Sequence, residues 1–302
     1  RADLLIVDAE AQGVRVLQYE GAEFTAAGET FVRGASAYAP LAISTPGFPT
    51  DISLSAEPAH ARAFVLSAFG SGGGLGPKGP CSEFAGPRLY VVVVDEVDFG
   101  ARDADPENHV TIGCVRLDAG ALEDAGTPVD VTTLYTSTTS EDGQDVARAD
   151  LLAIAFDDTK DHAGRVALVR VDRAAPGVDG MAPSEILGVA TVSAAPREML
   201  VADDAIFVSS AATSSISIVE FERGRDGAIL TSTRAISVGG PTLGFVDADA
   251  AGVYALRIDR PSAVLLERRE EAWTRSTAMF ASPHTPYVDL DSADLAGRLD
   301  LG

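Results

Sequence analysis

Short apolar segments separated by polar, glycine-containing turns run through most of the chain. "DLLIVDA" is followed by the turn-like "EAQG" and then by "VRVLQYE", while "DLLAIAF" is followed by "DDTKDHAG" and then by "RVALVRVD". An apolar strand, a polar turn and a second strand form the signature of a β-hairpin. In "ISIVEFE" the apolar Ile216, Ile218 and Phe221 are interleaved with polar residues, as in a strand with one buried and one wetter face. The pattern predicts an all-β protein.

The pentapeptide "RADLL" occurs twice, at residues 1–5 and 148–152, and opens a predicted hairpin each time. Similar strand pairs recur at 205–222 and 252–269, and "RLYVVVVDEV" and "HVTIGCVRLD" have the same texture. The chain is therefore interpreted as a series of repeated units. We expect each "RADLL" to begin the second strand of a unit, with its Arg and Asp at a turn and its two Leu entering the sheet.

Prolines mark the start of several units at a regular interval. Pro196, Pro241 and Pro286 are 45 residues apart, and Pro49 precedes Pro196 by 147 residues, which fits three units of about 49. A period of 40 to 50 residues with about four strands in each unit is typical of a β-propeller. We predict one domain over 1–302, with about six blades (five to seven) of four-stranded antiparallel sheets.

Two alternatives to this arrangement stay open. A pair of β-sandwiches would also have short strands, without a strict period. The glycine-rich "GSGGGLGPKGP" interrupts the pattern and predicts an inserted loop near 70–87, which would fit a five-bladed ring.

The two ends of the chain read as parts of one blade. "PYVDLDSAD" looks like a first strand, and "DLLIVDA" and "VRVLQYE" look like second and third strands. Pairing them would satisfy backbone groups that each end alone leaves open, so we predict that N- and C-terminal strands close the ring. The rival interpretation makes "GRLDLG" a second strand in a chain that continues past Gly302.

The repeats resemble those of YVTN and lactonase-type propellers, in segments such as "AIFVSS" and "ISIVEFE". The segment "DLDSADLAGRLDLG" and the N-terminal passage resemble the calcium-loop region of FG-GAP or VCBS repeats, although three residues are inserted and no Asp-Gly follows Asp294. This second resemblance implies Ca²⁺ as the candidate cofactor, because Ca²⁺ binds six to eight oxygen ligands. The alternative is that Asp residues cap turns. The candidate ligands are Asp289, Asp291, Asp294 and Asp300, and a further acidic turn contains Asp157, Asp158 and Asp161.

Charge and cysteine content narrow the partners and the compartment. With 45 acidic and 23 basic residues, the net charge of −22 repels phosphates and anionic lipids, so nucleic acid is not an expected partner. The sequence contains no apolar stretch of about 18 residues, so no transmembrane segment is predicted. The start at Arg1 suggests processing or a longer chain, so we expect an extracellular, periplasmic or outer-membrane location. One version of this expectation is a lipid anchor upstream of Arg1. Cys81 and Cys114 are predicted to form a disulfide, unless they are two unrelated buried thiols.

Two functions fit these features. The first is a non-catalytic, cell-envelope or extracellular module that binds a protein or glycan partner or acts as a scaffold. The alternative is a metal-assisted hydrolase of the lactonase type. We favour the first, because no Gly-x-Ser-x-Gly elbow or phosphate loop is present and no catalytic residue can be assigned. An enzyme would instead place acidic side chains at equivalent axial ends of the first strands, where the candidates are Asp51, Glu198, Asp203, Asp247 and Asp289.

Overall fold

A computed structural model describes most of the chain in separate stretches. The described residues are 2–8, 13–19, 22–24, 30–32, 41–44, 47, 49–55, 62–68, 86–94, 110–141, 144–158, 160–177, 180–224, 227–249, 252–259, 262–269 and 272–276. Within them, the only helical element is a single 3₁₀ turn at Gly120–Leu122. The prediction of an all-β protein is confirmed.

The N-terminal part forms a three-stranded antiparallel sheet and a small hairpin. The sheet has the order β1-β2-β5, and β3 pairs with β4 in the hairpin. The strands are β1 (Ala2–Asp8), β2 (Gly13–Tyr19), β3 (Ala22–Phe24), β4 (Thr30–Val32) and β5 (Leu41–Ser44). The two predicted strands "DLLIVDA" and "VRVLQYE" are therefore confirmed as a hairpin.

Four four-stranded antiparallel sheets follow, and each has its strands in chain order. Blade 1 contains β6 (Pro49–Leu54), β7 (Arg62–Ser67), β8 (Arg88–Val94) and β9 (Val110–Arg116). Blade 2 contains β10 (Thr127–Glu141), β11 (Gln144–Asp158), β12 (Ala163–Asp172) and β13 (Ser184–Val192). Blade 3 contains β14 (Pro196–Ala202), β15 (Ala205–Ser210), β16 (Ser215–Arg223) and β17 (Ala228–Ser237). Blade 4 contains β18 (Thr242–Asp249), β19 (Gly252–Arg257), β20 (Ala263–Arg269) and β21 (Ala272–Arg275).

The blades pack face to face in chain order, which makes the fold a β-propeller. The first strands β6, β10, β14 and β18 lie against one another in sequence and surround the axis of the ring. Each also contacts the second strand of the preceding blade, as β10 contacts β7 and β14 contacts β11. The fourth strands β13, β17 and β21 make the corresponding outer contacts.

The hydrophobic cores lie between blades, and this explains the apolar runs of the second strands. Alternate side chains of a strand point to opposite faces of its sheet, and here both faces are covered by a neighbouring blade. In β11, Leu152, Ile154 and Phe156 pack against blade 1, while Leu151 and Ala153 pack against blade 3. All six residues of β7 and of β15 are buried. The outer strand β17 instead alternates between half-buried and exposed positions along part of its length.

The blade spacing differs from the prediction in one region. Residues 49–192 contain two blades, so the expectation of three units of about 49 residues between Pro49 and Pro196 is wrong. Blade 2 is long because β10 and β11 form a hairpin with 15 residues in each strand. Blade 1 is long because β7 and β8 are separated by the glycine-rich segment, of which residues 69–85 lie outside the described residues. The proline spacing therefore predicts the number of blades correctly only where the connections between strands are short.

The second "RADLL" lies in the second strand of blade 2, as predicted, but its polar residues are not at a turn. Arg148 and Asp150 both lie within β11, and Asp150 is fully buried. The first copy forms the start of β1.

Cys114 lies buried in β9, with its Sγ atom 3.7 Å from Sδ of Met181. Cys81 lies outside the described residues. The disulfide between them therefore stays a prediction.

We expect thiol alkylation of the unfolded, unreduced protein to give no adduct, and alkylation after reduction to give two, measured by intact mass. A Cys114→Ser variant should give one adduct under both conditions; two adducts on the unreduced wild type would contradict the disulfide.

No helix within the described residues is both long and apolar enough to cross a membrane.

Candidate functional site

Three carboxylates occupy equivalent positions near the starts of neighbouring first strands. Asp51 lies in β6, Asp130 in β10 and Glu198 in β14, and each carboxylate accepts a backbone N–H from the first strand of the following blade. We call these three residues the carboxylate belt. The bonds run from Val131 N–H to Asp51 Oδ2 (2.8 Å), from Met199 N–H to Asp130 Oδ2, and from Phe245 N–H to Glu198 Oε2 (3.3 Å).

A proline and a β-bulge position each belt residue. Pro49, Pro128 and Pro196 stand two residues before the acidic residue, and the pairing with the second strand shifts register at each of these points. Proline cannot donate to the ladder, and a bulge leaves one residue unpaired and changes the direction of a side chain. The local sequence Pro-x-Asp or Pro-x-Glu therefore sends the carboxylate towards the next blade.

Burial and the neighbouring Asp51 act together on the carboxyl group of Asp130. Burial raises the pKa of Asp130 to about 8, and the hydrogen bond and negative charge of the adjacent Asp51 act in the same direction. The N–H of Met199 opposes this shift, and the more distant Glu198 adds to it. At neutral pH Asp130 therefore keeps its proton and can act as an acid.

Glu198 is the more exposed member of the belt, and it responds to the same surroundings. Partial loss of water raises the pKa of Glu198, and the charge of Asp51 adds to the effect. The N–H bond from Phe245 acts in the opposite direction. Asp51 thus acts electrostatically on both other carboxylates of the belt.

Blade 4 has a glycine in place of an acidic residue at the belt position, and this glycine leaves space for the carboxylate of Glu198. Gly244 precedes Phe245 as Asp130 precedes Val131, so it occupies the belt position of blade 4. A Cβ atom at Gly244 would overlap the carboxylate of Glu198. The adjacent Leu243 is 59% exposed.

Of the five acidic residues proposed for the first strands, two lie in the belt. Asp51 and Glu198 do, whereas Asp203 lies in the turn after β14 and forms an ion pair with Arg268 at 3.0 Å. Asp247 lies further along β18, beyond a second register shift. Asp289 lies outside the described residues.

The calcium ligands predicted from the FG-GAP resemblance cannot be placed. Asp289, Asp291, Asp294 and Asp300 all lie outside the described residues, so Ca²⁺ stays a prediction. Across the stretches that the structure covers, no group of three or more His, Cys, Asp or Glu side chains is arranged to hold a metal ion.

The acidic turn after β11 has the capping role that was the alternative to metal binding. Asp158 Oδ1 accepts the N–H groups of Lys160 (3.0 Å) and Asp161 (3.3 Å). Its Oδ2 pairs with Arg165 at 3.0 Å. The N–H bonds, that of Asp161 first, lower the pKa of Asp158.

Asp130 was missed by the sequence analysis. Its signal is a proline, any residue and then an acidic residue at Pro49, Pro128 and Pro196, although the same pattern also occurs at Pro183, at the start of the outer strand β13. Pro128 is 68 residues before Pro196, so it was not found by the 45-residue spacing of the later prolines.

A separate cavity of about 270 Å³ lies where blade 1 meets blade 2. Leu117 and Leu122 contribute apolar walls, and Asp118, Asp158 and Lys160 contribute charged ones. Asp118 and Asp158 already pair with Arg116 and Arg165. These ion pairs account for the two carboxylates in the wall of the cavity.

No protein-family model matches the chain, and no curated protein matches it. Among solved structures, a protein from Bacteroides fragilis with a provisional 6-phosphogluconolactonase name is similar. It has a TM-score of 0.47 and 11% identical residues, and the aligned part covers 92% of this chain and 67% of that one. At this level of similarity, the activity in that name is not transferred to this chain.

Proposed function

We propose that this β-propeller is a hydrolase of lactones or related esters that works by acid–base catalysis at the carboxylate belt. The observation that supports the proposal is the pair of carboxylates Asp51 and Asp130 at equivalent positions of neighbouring first strands, where burial raises the pKa of Asp130 to about 8. Two carboxyl groups held in different protonation states near pH 7 are a recurrent basis for acid–base chemistry. Metal assistance, which the sequence analysis attached to this activity, stays a prediction.

The two carboxyl groups have complementary roles in this proposal. A water molecule adds to the acyl carbon while its proton passes to the Asp51 carboxylate. The ring C–O bond then breaks, and the leaving alkoxide takes the proton of Asp130, which gives a hydroxy acid. The pair is restored when a proton passes from Asp51 to Asp130. Such a positioned acid and base contribute about 10²–10⁴ in rate.

The charges near the belt favour an uncharged substrate. The belt itself contributes three acidic side chains, and the basic side chain of Arg197 in β14 is exposed. A negative charge on the substrate would be repelled by these carboxylates in a partly desolvated site. The exposed Leu243 beside Gly244 offers an apolar contact. The proposed substrate class is therefore a neutral lactone or ester with an apolar or hydroxylated body.

The test is a pH-stat assay of the purified chain on δ-valerolactone, glucono-δ-lactone and the 6-phosphate of the latter. We expect the neutral lactones to be hydrolysed faster than the phosphorylated one, and activity to fall as pH rises through about 8, because Asp130 then loses its proton. Asp130→Asn should lower kcat/KM by about 10²–10⁴. The matched control is Asp124→Asn at an exposed site outside the belt.

The assay separates failure of the activity from failure of the substrate class. Hydrolysis no faster than in buffer, or full activity of Asp130→Asn, would remove the proposal. Faster hydrolysis of the phosphorylated lactone would leave the activity in place and contradict the uncharged substrate.

The second candidate is the non-catalytic module that binds a protein or glycan in the cell envelope or outside the cell. It is favoured by the N–H bonds to the belt, since all three carboxylates already link one blade to the next. Under this candidate no lactone is turned over, and a neutral oligosaccharide or protein partner binds saturably in calorimetry. The extracellular or envelope location remains a prediction for both candidates.

A further inference from the structure

The β10–β11 hairpin is longer than the rest of the sheet to which it belongs. β10 pairs with β11 as far as Glu141 and Gln144, whereas β12 pairs with β11 only from Ala149 onwards. The outer part of the hairpin is therefore a two-stranded ribbon, and we call its paired residues 138–141 and 144–147 the β10–β11 arm. At about 3.4 Å per residue, the ribbon extends about 15 Å past the last β11–β12 pair.

The base of the arm is fixed to the buried part of blade 2. Thr136 donates from Oγ1 to Oδ1 of the fully buried Asp150 at 2.7 Å, and Arg173 pairs with the same carboxylate. Arg148 is an extra residue of β11 at a register shift, and its Nε donates to Oγ1 of Thr139 at 2.7 Å. A β-bulge of this kind bends a hairpin and increases its twist. The arm therefore leaves the blade as a ribbon that is held at its base.

Both edges of the arm are open in the part of the chain that the structure describes. β10 is the edge strand of its sheet, and no described strand pairs with the other edge of 144–147. On that edge the N–H of Arg173 donates to the carbonyl of Arg148 at 2.8 Å, directly before the arm begins. Thr138 and Val146 are exposed. An open edge presents N–H and C=O groups with which another strand can pair.

The sequence at the tip of the arm favours a basic partner. Residues 140–145 read Ser-Glu-Asp-Gly-Gln-Asp, with three acidic residues and no basic one, and the whole chain has a net charge of −22. A second copy of the chain would bring the same charge to the arm and be repelled. A segment with basic side chains is attracted instead.

We propose that the β10–β11 arm is a docking site for a basic, extended segment of a partner protein, which adds as a strand along residues 144–147. This strand lies in line with β12 and continues the sheet. Backbone hydrogen bonds supply the affinity, and the acidic tip supplies the preference for basic side chains. The proposal is independent of the proposed hydrolysis, because the arm lies at the opposite end of β10 from Asp130.

The experiment measures fluorescence anisotropy of a short, labelled peptide of alternating lysine and valine, titrated with the purified chain near physiological ionic strength. We expect saturable binding, and we expect the same peptide with every backbone amide N-methylated to bind about tenfold more weakly or less. The two peptides have the same charge, so the comparison isolates strand pairing from electrostatic attraction. A peptide of alternating glutamate and valine should not bind. In hydrogen exchange, the amides of residues 144–147 should gain protection when the lysine peptide binds.

Two variants locate the binding on the arm. Replacement of residues 139–146 by Asn-Gly joins the paired Thr138 and Ala147 through a two-residue hairpin turn and removes the arm. We expect this variant to bind the lysine peptide about tenfold more weakly or less. The second variant keeps the arm and removes its charge, and it also serves if the shortened hairpin does not fold. Its substitutions are Glu141→Gln, Asp142→Asn and Asp145→Asn.

A matched control removes the same number of charges from exposed positions outside the arm. Its substitutions are Glu123→Gln, Asp124→Asn and Glu222→Gln. The dissociation constant of the control should stay within about twofold of the wild type, and that of the arm-neutralised variant should rise several-fold more.

Four results would overturn the docking site. The first is equal binding of the lysine peptide and its N-methylated form, and the second is undiminished binding by the shortened hairpin. The third is an equal loss of affinity in the arm-neutralised variant and its control. The fourth is a dimer in sedimentation that the shortened hairpin abolishes, because the occupant would then be a second copy of the chain.

Discussion

Replacement of Asp150 by alanine is expected to lower the free energy of unfolding by about 3–5 kcal/mol, because it leaves buried arginines without their counter-charge. Asp150 is fully buried in β11. Arg173 donates to its two oxygens from Nε (3.1 Å) and Nη2 (2.8 Å), and Thr136 donates from Oγ1 at 2.7 Å. Arg62 of blade 1 approaches at 3.8 Å. The cluster therefore links two blades through one carboxylate.

The arginines cannot easily compensate for the loss. The side chains of Arg62 and Arg173 are each only 10% exposed. Burial lowers the pKa of Arg62, and Asp150 is the main group that opposes this effect. Without Asp150 the charged arginine heads keep their desolvation cost and lose their partner.

Urea denaturation at pH 7 measures this prediction. The control is Asp204→Ala, which breaks the Asp204–Arg223 pair, whose side chains are 58% and 51% exposed. We expect this control to cost less than about 1 kcal/mol, because exposed ion pairs contribute little. Asp150→Asn should lie between the two, since it keeps an acceptor but not the charge. If Asp150→Ala is no more destabilising than the control, the cluster does not stabilise the fold.

The apolar pattern predicted the strands of this propeller because it records burial directly. A second strand such as β11 is covered on both faces, so its six residues Leu151–Phe156 are all apolar and were recognised without knowledge of their neighbours. The partners of Asp150 were not accessible in the same way. Arg173 meets it across the β11–β12 pair of the same blade, and Arg62 meets it only after blades 1 and 2 have packed together, so the sequence placed this Asp at a turn.

The number of blades and the position of the site were harder to predict, because both depend on the lengths of the connections between strands. Loop length changes stability slowly, so insertions between β7 and β8, or the long β10–β11 hairpin, are tolerated and obscure the repeat. The same irregular spacing hid Asp130, although Asp51 and Glu198 were among the candidates. The raised pKa of Asp130 depends on its burial and on Asp51 of the neighbouring blade, and no local sequence pattern contains that information.

Ring closure is the prediction of largest consequence for the fold. Among the described strands, β1 is an edge of the N-terminal sheet. β6 lies against β1 in the way that the later first strands lie against the second strand of the preceding blade. The shared spelling "RADLL" also relates β1 to β11, which is a second strand. Both observations give β1 the second-strand position and leave the first-strand position next to it for another segment.

The C-terminal segment has the spacing expected for that strand. Residues 277–302 lie outside the described residues, so the pairing of 287–291 with 4–8 stays a prediction. Pro286 follows Pro241 by the same 45 residues that separate Pro241 from Pro196. Asp289 stands three residues after Pro286, as Gly244 stands three residues after Pro241. Asp289 is therefore expected at the belt position of the closing blade, as an acceptor for Ile52 N–H.

Two truncations of different length test the closure against its rival. Removal of residues 287–302 should cost several backbone hydrogen bonds, at about 1 kcal/mol each, together with the burial of apolar side chains in the closing blade. The urea midpoint should fall, and the amides of Leu4 to Asp8 should lose protection from hydrogen exchange. Removal of residues 297–302 alone should leave both unchanged, whereas the rival interpretation of "GRLDLG" as a strand requires the short truncation to be destabilising too. Unchanged protection of Leu4 to Asp8 in the long truncation would show that another segment closes the ring.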